Sequence, residues 1–155
     1  MDFSSQNSAY EALSIEGRFG RISYFAWHML MGIALLLILA TAYLIQPDLF
    51  LHNGQIYFNS SSIIALLLLC FSQLAVVYFH LIFSIRRLHD CGQNAWWAVL
   101  CLIPFANLIL AIYLLFKAGD AEKNHFGEIR HTLAWEKYIS YLAVPILGVI
   151  LVSYF

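Results

Sequence analysis

The 155-residue chain is 62% hydrophobic and only 11% charged, with a formal net charge of −1 at pH 7. Ordinary soluble domains are about half apolar and about a quarter charged, so the composition argues against a soluble globular protein. Nucleic acid is excluded as an expected partner, because its binding depends on clustered positive charge. The composition favours a chain whose natural solvent is a lipid bilayer.

The chain begins with the polar, serine-rich residues 1–13, which predict a short flexible tail. Two glycine–arginine pairs then place Arg18 and Arg21 just before the first apolar run, residues 24–45. Arginines at this position can reach lipid phosphates while their stems stay in the apolar layer. No small-residue cleavage site follows the run, so we expect a retained helix rather than a removed signal peptide.

Four apolar runs approach the length that crosses a bilayer, since about 20 apolar residues span a hydrocarbon core about 30 Å thick. We therefore expect an all-α, polytopic membrane helix bundle with about four transmembrane helices. Residues 14–127 would form the main membrane domain, and residues 128–155 a linker and a fourth transmembrane helix. The runs are residues 24–45, 63–83, 95–116 and about 138–155.

Arginine placement predicts the orientation in the membrane. Arg18 and Arg21 precede the first run, and Arg86 and Arg87 follow the second. The positive-inside rule therefore puts the N-terminus and the turn after the second run in the cytoplasm. The loop between these runs carries Asn53-Gly54, which predicts a tight turn on the other side. The N-terminus is then cytoplasmic, while the side of residues 117–137 is left open.

The third run, residues 95–116, allows two topologies. Its 22 residues fit one full crossing, which we favour. Alternatively, Pro104 and Asn107 break the run into a re-entrant hairpin, which is tolerated only where protein shields the broken backbone.

The most polar segment between two apolar runs is IRRLHDCGQNAWW, residues 85–97. Gly92 is well placed to end the preceding helix in a left-handed conformation, and Asn94 to cap the next one. Asp90 can pair with Arg86 or Arg87, although an exposed pair contributes under about 1 kcal/mol. Three tryptophans are expected at the depth of the membrane interface. These anchors are Trp27, Trp96 and Trp97.

Basic side chains at this turn and before the first run favour a non-enzymatic protein whose cytoplasmic face contacts anionic lipid headgroups or a partner protein. A homo-oligomer is also compatible with the sequence. The candidate contact residues are Arg18, Arg21, Arg86, Arg87, His89 and Asp90.

Two other functions remain open. His28, His80 and Asn107 could line a polar path between spans, which would make the chain a subunit of a small oligomeric transporter or channel. A membrane-embedded enzyme would use His89 and Asp90, but adjacent helical residues point about 100° apart and do not converge on one atom. The sequence favours the non-enzymatic interpretation.

Metal and cofactor sites are not expected. Cys70, Cys91 and Cys101 form no CxxC pair, and three such thiols are more typical of buried, inert positions. His125 and His131 are six residues apart, which is not the spacing of two ligands on one helical face.

Three blocks of the sequence resemble the bacterial inner-membrane family known as domain of unknown function 805. They are GRFGRISYFAW, residues 17–27; RRLHDCGQNAWWAVLCLIPFANLI, residues 86–109; and AGDAEKNHFG, residues 118–127. The resemblance implies a multi-pass helical protein of the bacterial inner (cytoplasmic) membrane. Because the family has no established biochemical function, the resemblance implies no activity, substrate or cofactor.

Overall fold

The computed structural model describes residues 14–51 and 59–153. All regular elements in these residues are helical, as the composition predicted, apart from an isolated bridge between Asn124 and Gly127. The predicted tail, residues 1–13, and the predicted Asn53-Gly54 turn lie outside the described residues.

The first long helix, α1, is Arg21–Ile45, and the single-turn helix α2, Asp48–Leu51, follows it. At 1.5 Å per residue, the 25 residues of α1 extend about 37 Å, which exceeds the roughly 30 Å of a hydrocarbon core. By length and composition α1 is able to cross a membrane.

The second long helix, α3, is Ser60–Asp90, and it also satisfies the length and composition of a membrane span. Its 31 residues extend about 46 Å, so its last turns project beyond a hydrocarbon core. The Asn59 side chain accepts a hydrogen bond from the Ser62 amide at 2.8 Å and caps the start of the helix.

Helix α3 ends as the sequence predicted. Gly92 adopts a φ of 67°, and its amide donates to the His89 carbonyl at 3.1 Å, while the Gln93 amide donates to the Leu88 carbonyl at 2.9 Å. This pair of bonds is a Schellman motif, which satisfies the last carbonyls of a helix. The polar turn therefore begins at the end of a long apolar helix.

The third apolar run is divided into two helices. A 3₁₀ helix, Ala95–Leu102, begins where the Asn94 side chain accepts from the Trp96 amide at 3.0 Å, as predicted. Ile103 is extended, and α4, Pro104–Phe116, begins at the proline. Proline lacks an amide hydrogen and forces the preceding residue out of helical geometry, so one continuous helix over residues 95–116 does not form.

The last helix, α5, is Ala134–Ser153, with Pro145 inside it. It begins four residues before the predicted fourth run and thereby includes Glu136. That carboxylate becomes part of the candidate site.

The described chain divides into two compact units, residues 14–29 with 80–153 and residues 30–79 without the undescribed loop. In the second unit, apolar side chains such as Leu36 and Leu44 are exposed, which is typical of helices that face lipid. Its buried positions include the small residues Ala42 and Ala65, which allow close helix approach. All candidate functional residues lie in the first unit.

Candidate functional site

Arg87, in the last turn of α3, is fully buried and joins separate chain segments. Its Nε donates to the Leu114 carbonyl at 2.8 Å, and Nη2 donates to the Lys117 carbonyl. These carbonyls lie at the end of α4, where a helix lacks internal donors and carries the negative end of its dipole. Arg87 therefore caps the C-terminus of α4.

Asp90 is the buried carboxylate beside Arg87, and it is held by two arginines. Arg18 Nε donates to Oδ1 at 3.0 Å, and Arg87 Nη1 donates to Oδ2. The other Arg18 nitrogens donate to the carbonyls of Asp120 at 2.6 Å and Glu122 at 2.7 Å. We call Arg18, Arg87 and Asp90 the clasp, because they tie the segment before α1 and the segment after α4 to the end of α3.

The clasp is buried, whereas the sequence predicted an exposed Arg87–Asp90 pair and an Arg18 side chain directed toward lipid. The side chains of both arginines are 0% exposed, and that of Asp90 is 8% exposed. Backbone carbonyls at the end of α4 and in the segment after it supply the acceptors that lipid phosphates would otherwise supply. The described geometry thus gives these three side chains a structural role.

Gly119 lies directly against the clasp. A Cβ atom at this position would lie 2.0 Å from Asp90 Oδ2 and 3.1 Å from the Asp90 carbonyl oxygen. The carboxylate cannot move aside without breaking its bonds to Arg18 and Arg87. Only glycine fits here.

Gly119→Ala is therefore expected to destabilise the protein by about 1–3 kcal/mol, the usual range for overpacking. Thermal unfolding in detergent, followed by circular dichroism, measures the change. Gly32→Ala is the matched control, because no atom lies within 4 Å of its added Cβ. Equal unfolding temperatures for the two variants would contradict the tight contact at Gly119.

Arg86 and His89 flank the clasp and contact aromatic rings. Arg86 is fully buried, with its guanidinium carbon 3.9 Å from the centroid of the Phe19 ring. The His89 ring stacks on Phe126, with centroids 3.8 Å apart and planes at 11°. His89 and Asp90 therefore have different partners, and the structure does not bring them together as an acid–base pair.

A second buried cluster surrounds Glu136 in the first turn of α5. Arg130 donates to its two carboxylate oxygens at 2.7 and 3.1 Å, and Ser23 Oγ and Trp27 Nε1 donate at 2.8 and 2.9 Å. The Leu133 amide donates to Glu136 Oε2 at 2.9 Å, and this hydrogen bond is of the capping-box type. We call Ser23, Trp27, Arg130 and Glu136 the glutamate cluster.

The charge of Glu136 is fixed by these donors. Burial raises the pKa of a carboxyl, but hydrogen bonds from Arg130, the Leu133 amide and Ser23 outweigh burial and hold the Glu136 pKa below its usual range. The carboxylate is therefore ionised at neutral pH and forms a buried ion pair with Arg130.

A third polar group joins three helices. His28 Nε2 lies 2.9 Å from His80 Nδ1, and His80 Nε2 lies 2.9 Å from Asn107 Oδ1. His28 Nδ1 lies 2.8 Å from the Tyr24 carbonyl oxygen, which begins the series. We call His28, His80 and Asn107 the histidine chain. The sequence predicted these three residues as a polar path, and the structure places them in hydrogen-bonding contact.

A cleft of about 350 Å³ opens beside the clasp. Its walls include Arg21 in the first turn of α1, together with Arg87, Arg130 and two carboxylates, Asp90 and Asp120. Arg21 is exposed, unlike the other two arginines. Amides at a helix N-terminus and guanidinium groups are donors that suit a phosphate.

The tryptophans predicted as interfacial anchors have different environments. Trp96 and Trp97 are 79% and 54% exposed, which suits side chains at a lipid interface. Trp27 instead donates to Glu136 and packs edge-to-face against Trp135, with ring centroids 5.2 Å apart. Trp27 thus belongs to the glutamate cluster.

Sequence reasoning missed the glutamate cluster. Its only signal was a glutamate and an arginine, Glu136 and Arg130, close to an apolar run.

The three cysteines carry no disulfide. Within residues 14–51 and 59–153, no group of three or more His, Cys, Asp or Glu side chains is placed to hold a metal ion.

Comparison with known proteins identifies a family and two relatives. The model of a family described as "Protein of unknown function (DUF805)" matches residues 12–128. Two proteins, from Escherichia coli strain K12 and E. coli O157:H7, are both named "Inner membrane protein YhaH". Each is 48% identical over 42 residues, 27% of this chain and 35% of the relative, so the chain spans about a third of the relatives' length. No solved structure matches the chain.

Proposed function

Because the chain belongs to the DUF805 family, whose function is unknown, we propose a role from its own geometry. It is a multi-pass protein of the bacterial inner membrane that acts without catalysis and binds anionic lipid headgroups at its cytoplasmic face. The names of the two E. coli relatives support the location. The apolar length of α1 and α3 supports insertion in the membrane.

Four crossings agree best with the helix lengths. Helix α4 alone extends about 20 Å, but with the 3₁₀ helix before it the run 95–116 extends about 36 Å along its segments. A crossing with a break at Ile103 needs protein around the exposed backbone, and re-entry at Pro104 is the alternative. Arginines at the start of α1 and the end of α3 support a cytoplasmic location for both, and for the N-terminus.

The cleft beside the clasp is the observation that carries the lipid-binding role. Arg18, Arg86 and Arg87 are buried among protein groups, so the contact with lipid falls to Arg21 at the rim of the cleft. The clasp residues Arg87 and Asp90 form part of the wall of the cleft, and Arg21 in the first turn of α1 lines it as well. A headgroup phosphate would there meet a guanidinium group and the positive end of a helix dipole.

An enzymatic role at the same place has less support. Both oxygens of Asp90 accept from guanidinium groups, and His89 stacks on Phe126 instead of facing the carboxylate. The non-catalytic role needs neither group to exchange a proton.

Arg21→Gln is expected to weaken binding of phosphatidylglycerol about fivefold, since one basic residue near an anionic surface contributes about 1 kcal/mol. Phosphatidylcholine, which has no net charge, should bind both proteins equally. Native mass spectrometry of the full chain in mild detergent, with each lipid added in turn, counts the bound lipids.

Lys137→Gln is the matched control, because Lys137 is an exposed base that does not line the cleft. It should retain the wild-type lipid count. Equal phosphatidylglycerol binding by wild-type protein and Arg21→Gln would overturn the lipid role and favour a protein partner at this surface. If Arg21→Gln and Lys137→Gln lost equal amounts of bound phosphatidylglycerol, the effect would depend on net charge alone and not on the cleft.

A second candidate role, as a subunit of a small oligomeric transporter or channel, is favoured by the histidine chain. It places polar side chains from α1, α3 and α4 in direct contact. Four spans are few for a solute path, so this role requires several copies. Solute flux into vesicles that contain the purified protein tests it, and a monomer without flux would exclude it.

A further inference from the structure

The number of hydrogens that the two rings of the histidine chain carry depends on which end of the Asn107 amide faces His80. The Tyr24 carbonyl oxygen can only accept, so His28 Nδ1 carries a hydrogen. Where Asn107 presents its oxygen Oδ1, His80 Nε2 also carries a hydrogen. The 2.9 Å bond between His28 Nε2 and His80 Nδ1 requires one hydrogen more.

With the Asn107 oxygen toward His80, the three hydrogen bonds require hydrogens on three of the four ring nitrogens. Two neutral imidazoles carry two hydrogens in total, one on each ring, so this orientation of the amide corresponds to a pair that holds one additional proton. Rotation of the Asn107 amide by 180° would present its NH₂ group to His80 Nε2 as a donor. In that orientation the histidine chain needs only two ring hydrogens, and both imidazoles are neutral.

We propose that His28, His80 and Asn107 form a proton-binding site in which two imidazoles share one proton and the Asn107 amide rotates when that proton leaves. The proton is taken up from water and returned to water, and no other bond forms or breaks. This site does not depend on lipid binding at the Arg21 cleft, and it supplies what a proton-coupled transport role would require.

Two aromatic rings and two terminal acceptors surround the site. The Tyr24 ring centroid lies 4.3 Å from that of His28, and the Phe83 ring centroid lies 5.4 Å from it. The two ring planes are inclined to that of His28 by 52° and 70°, so both rings border it without stacking on it. The two terminal acceptors, the Tyr24 carbonyl and the Asn107 amide oxygen, each face one end of the chain.

The charged and titratable groups near the site can be followed helix by helix. On α1 they are Tyr24, in contact with His28, and Arg21, about 10 Å along the axis. On α3 the nearest charged residue is Arg86, six positions or about 9 Å along the axis from His80. Helix α4 carries no charged residue. The Glu136 carboxylate of α5 accepts hydrogen bonds from Trp27 and the other donors of the glutamate cluster. The shared proton is therefore stabilised mainly by the hydrogen bonds of the histidine chain itself.

The site can be tested by nitrogen NMR on the full chain, labelled with ¹⁵N-histidine, in lipid nanodiscs across the acidic to neutral range. At acidic pH, we expect three protonated ring nitrogens in His28 and His80 and a coupling across the bond between the rings. At higher pH one proton should leave the pair in a single step, because strongly coupled groups titrate together. His28→Gln and His80→Gln assign the signals.

Asn107→Leu removes the acceptor for the charged form and should weaken proton binding at least tenfold, which lowers the titration midpoint by about one pH unit. Asn107→Asp adds a negative charge and should raise the midpoint. His131→Gln alters an exposed histidine outside the chain and should not change it. Two rings that titrate independently in the wild type, or a midpoint that Asn107→Leu leaves unchanged, would overturn the proposal. The wild-type titration decides the matter even if a variant does not fold.

Discussion

Replacing Arg87 with alanine is expected to destabilise the protein by about 3–5 kcal/mol, the range found when one partner of a buried ion pair is removed. The variant leaves the carbonyls of Leu114 and Lys117 without their donor at the end of α4. It also leaves Asp90 buried with Arg18 as its remaining clasp partner. The variant therefore loses both the side chain that caps α4 and one of the two arginines that pair with Asp90.

Thermal unfolding of the full chain in one detergent, followed by circular dichroism, measures the Arg87→Ala effect. Arg21→Ala is the matched control, because it removes an exposed arginine and should leave the unfolding temperature nearly unchanged. Arg87→Lys should fall between them, since lysine keeps the charge but lacks the planar fork of donors. If Arg87→Ala unfolded at the temperature of Arg21→Ala, the clasp would have no structural role.

Glu136→Ala is expected to have a similarly large effect, about 3–5 kcal/mol, because it removes the carboxylate from the buried ion pair with Arg130. It also removes the acceptor of Ser23, Trp27 and the Leu133 amide. The ultraviolet emission of tryptophan gives a local readout, since the Trp27 indole loses its partner. Glu128→Ala removes an exposed glutamate and serves as the control.

The glutamate cluster also predicts how stability depends on pH. A carboxyl whose pKa is lower in the folded state stabilises that state above its unfolded pKa, and this contribution is lost as the pH falls through the folded pKa. Glu136 is such a group, because its donors hold its pKa below the usual 4.5. Acidification below about pH 4.5 should therefore destabilise the wild type.

Glu136→Gln removes the titrating group and should flatten this acid dependence, at the cost of lower stability at neutral pH. Unfolding temperatures measured at a series of pH values in the same detergent provide the comparison. An equal acid dependence in wild type and Glu136→Gln would assign the effect to other carboxyl groups.

Local features of the fold were predictable from the sequence because they depend on a few neighbouring residues. Gly92 ends α3 with a positive φ, and Asn94 caps the next helix, both as predicted. Each requires only a residue type with the right backbone freedom or side-chain oxygen. The helical class and the long apolar helices followed from composition in the same way.

The long-range polar contacts were not predictable in this way. Arg18 is 72 positions from Asp90, and Trp27 is 109 positions from Glu136. No local pattern specifies which distant carboxylate an arginine meets, so the sequence left these arginines facing lipid. The break at Ile103 is intermediate, because Pro104 offered a break while the apolar composition favoured one crossing.

The clasp has a consequence for how the chain is made. Two of the acceptors of Arg18, the carbonyls of Asp120 and Glu122, are synthesised about a hundred residues after it. Until that segment is synthesised, Arg18 lacks these two acceptors. The complete clasp can therefore form only after both α1 and α3 have been made, so it cannot guide the folding of either helix on its own.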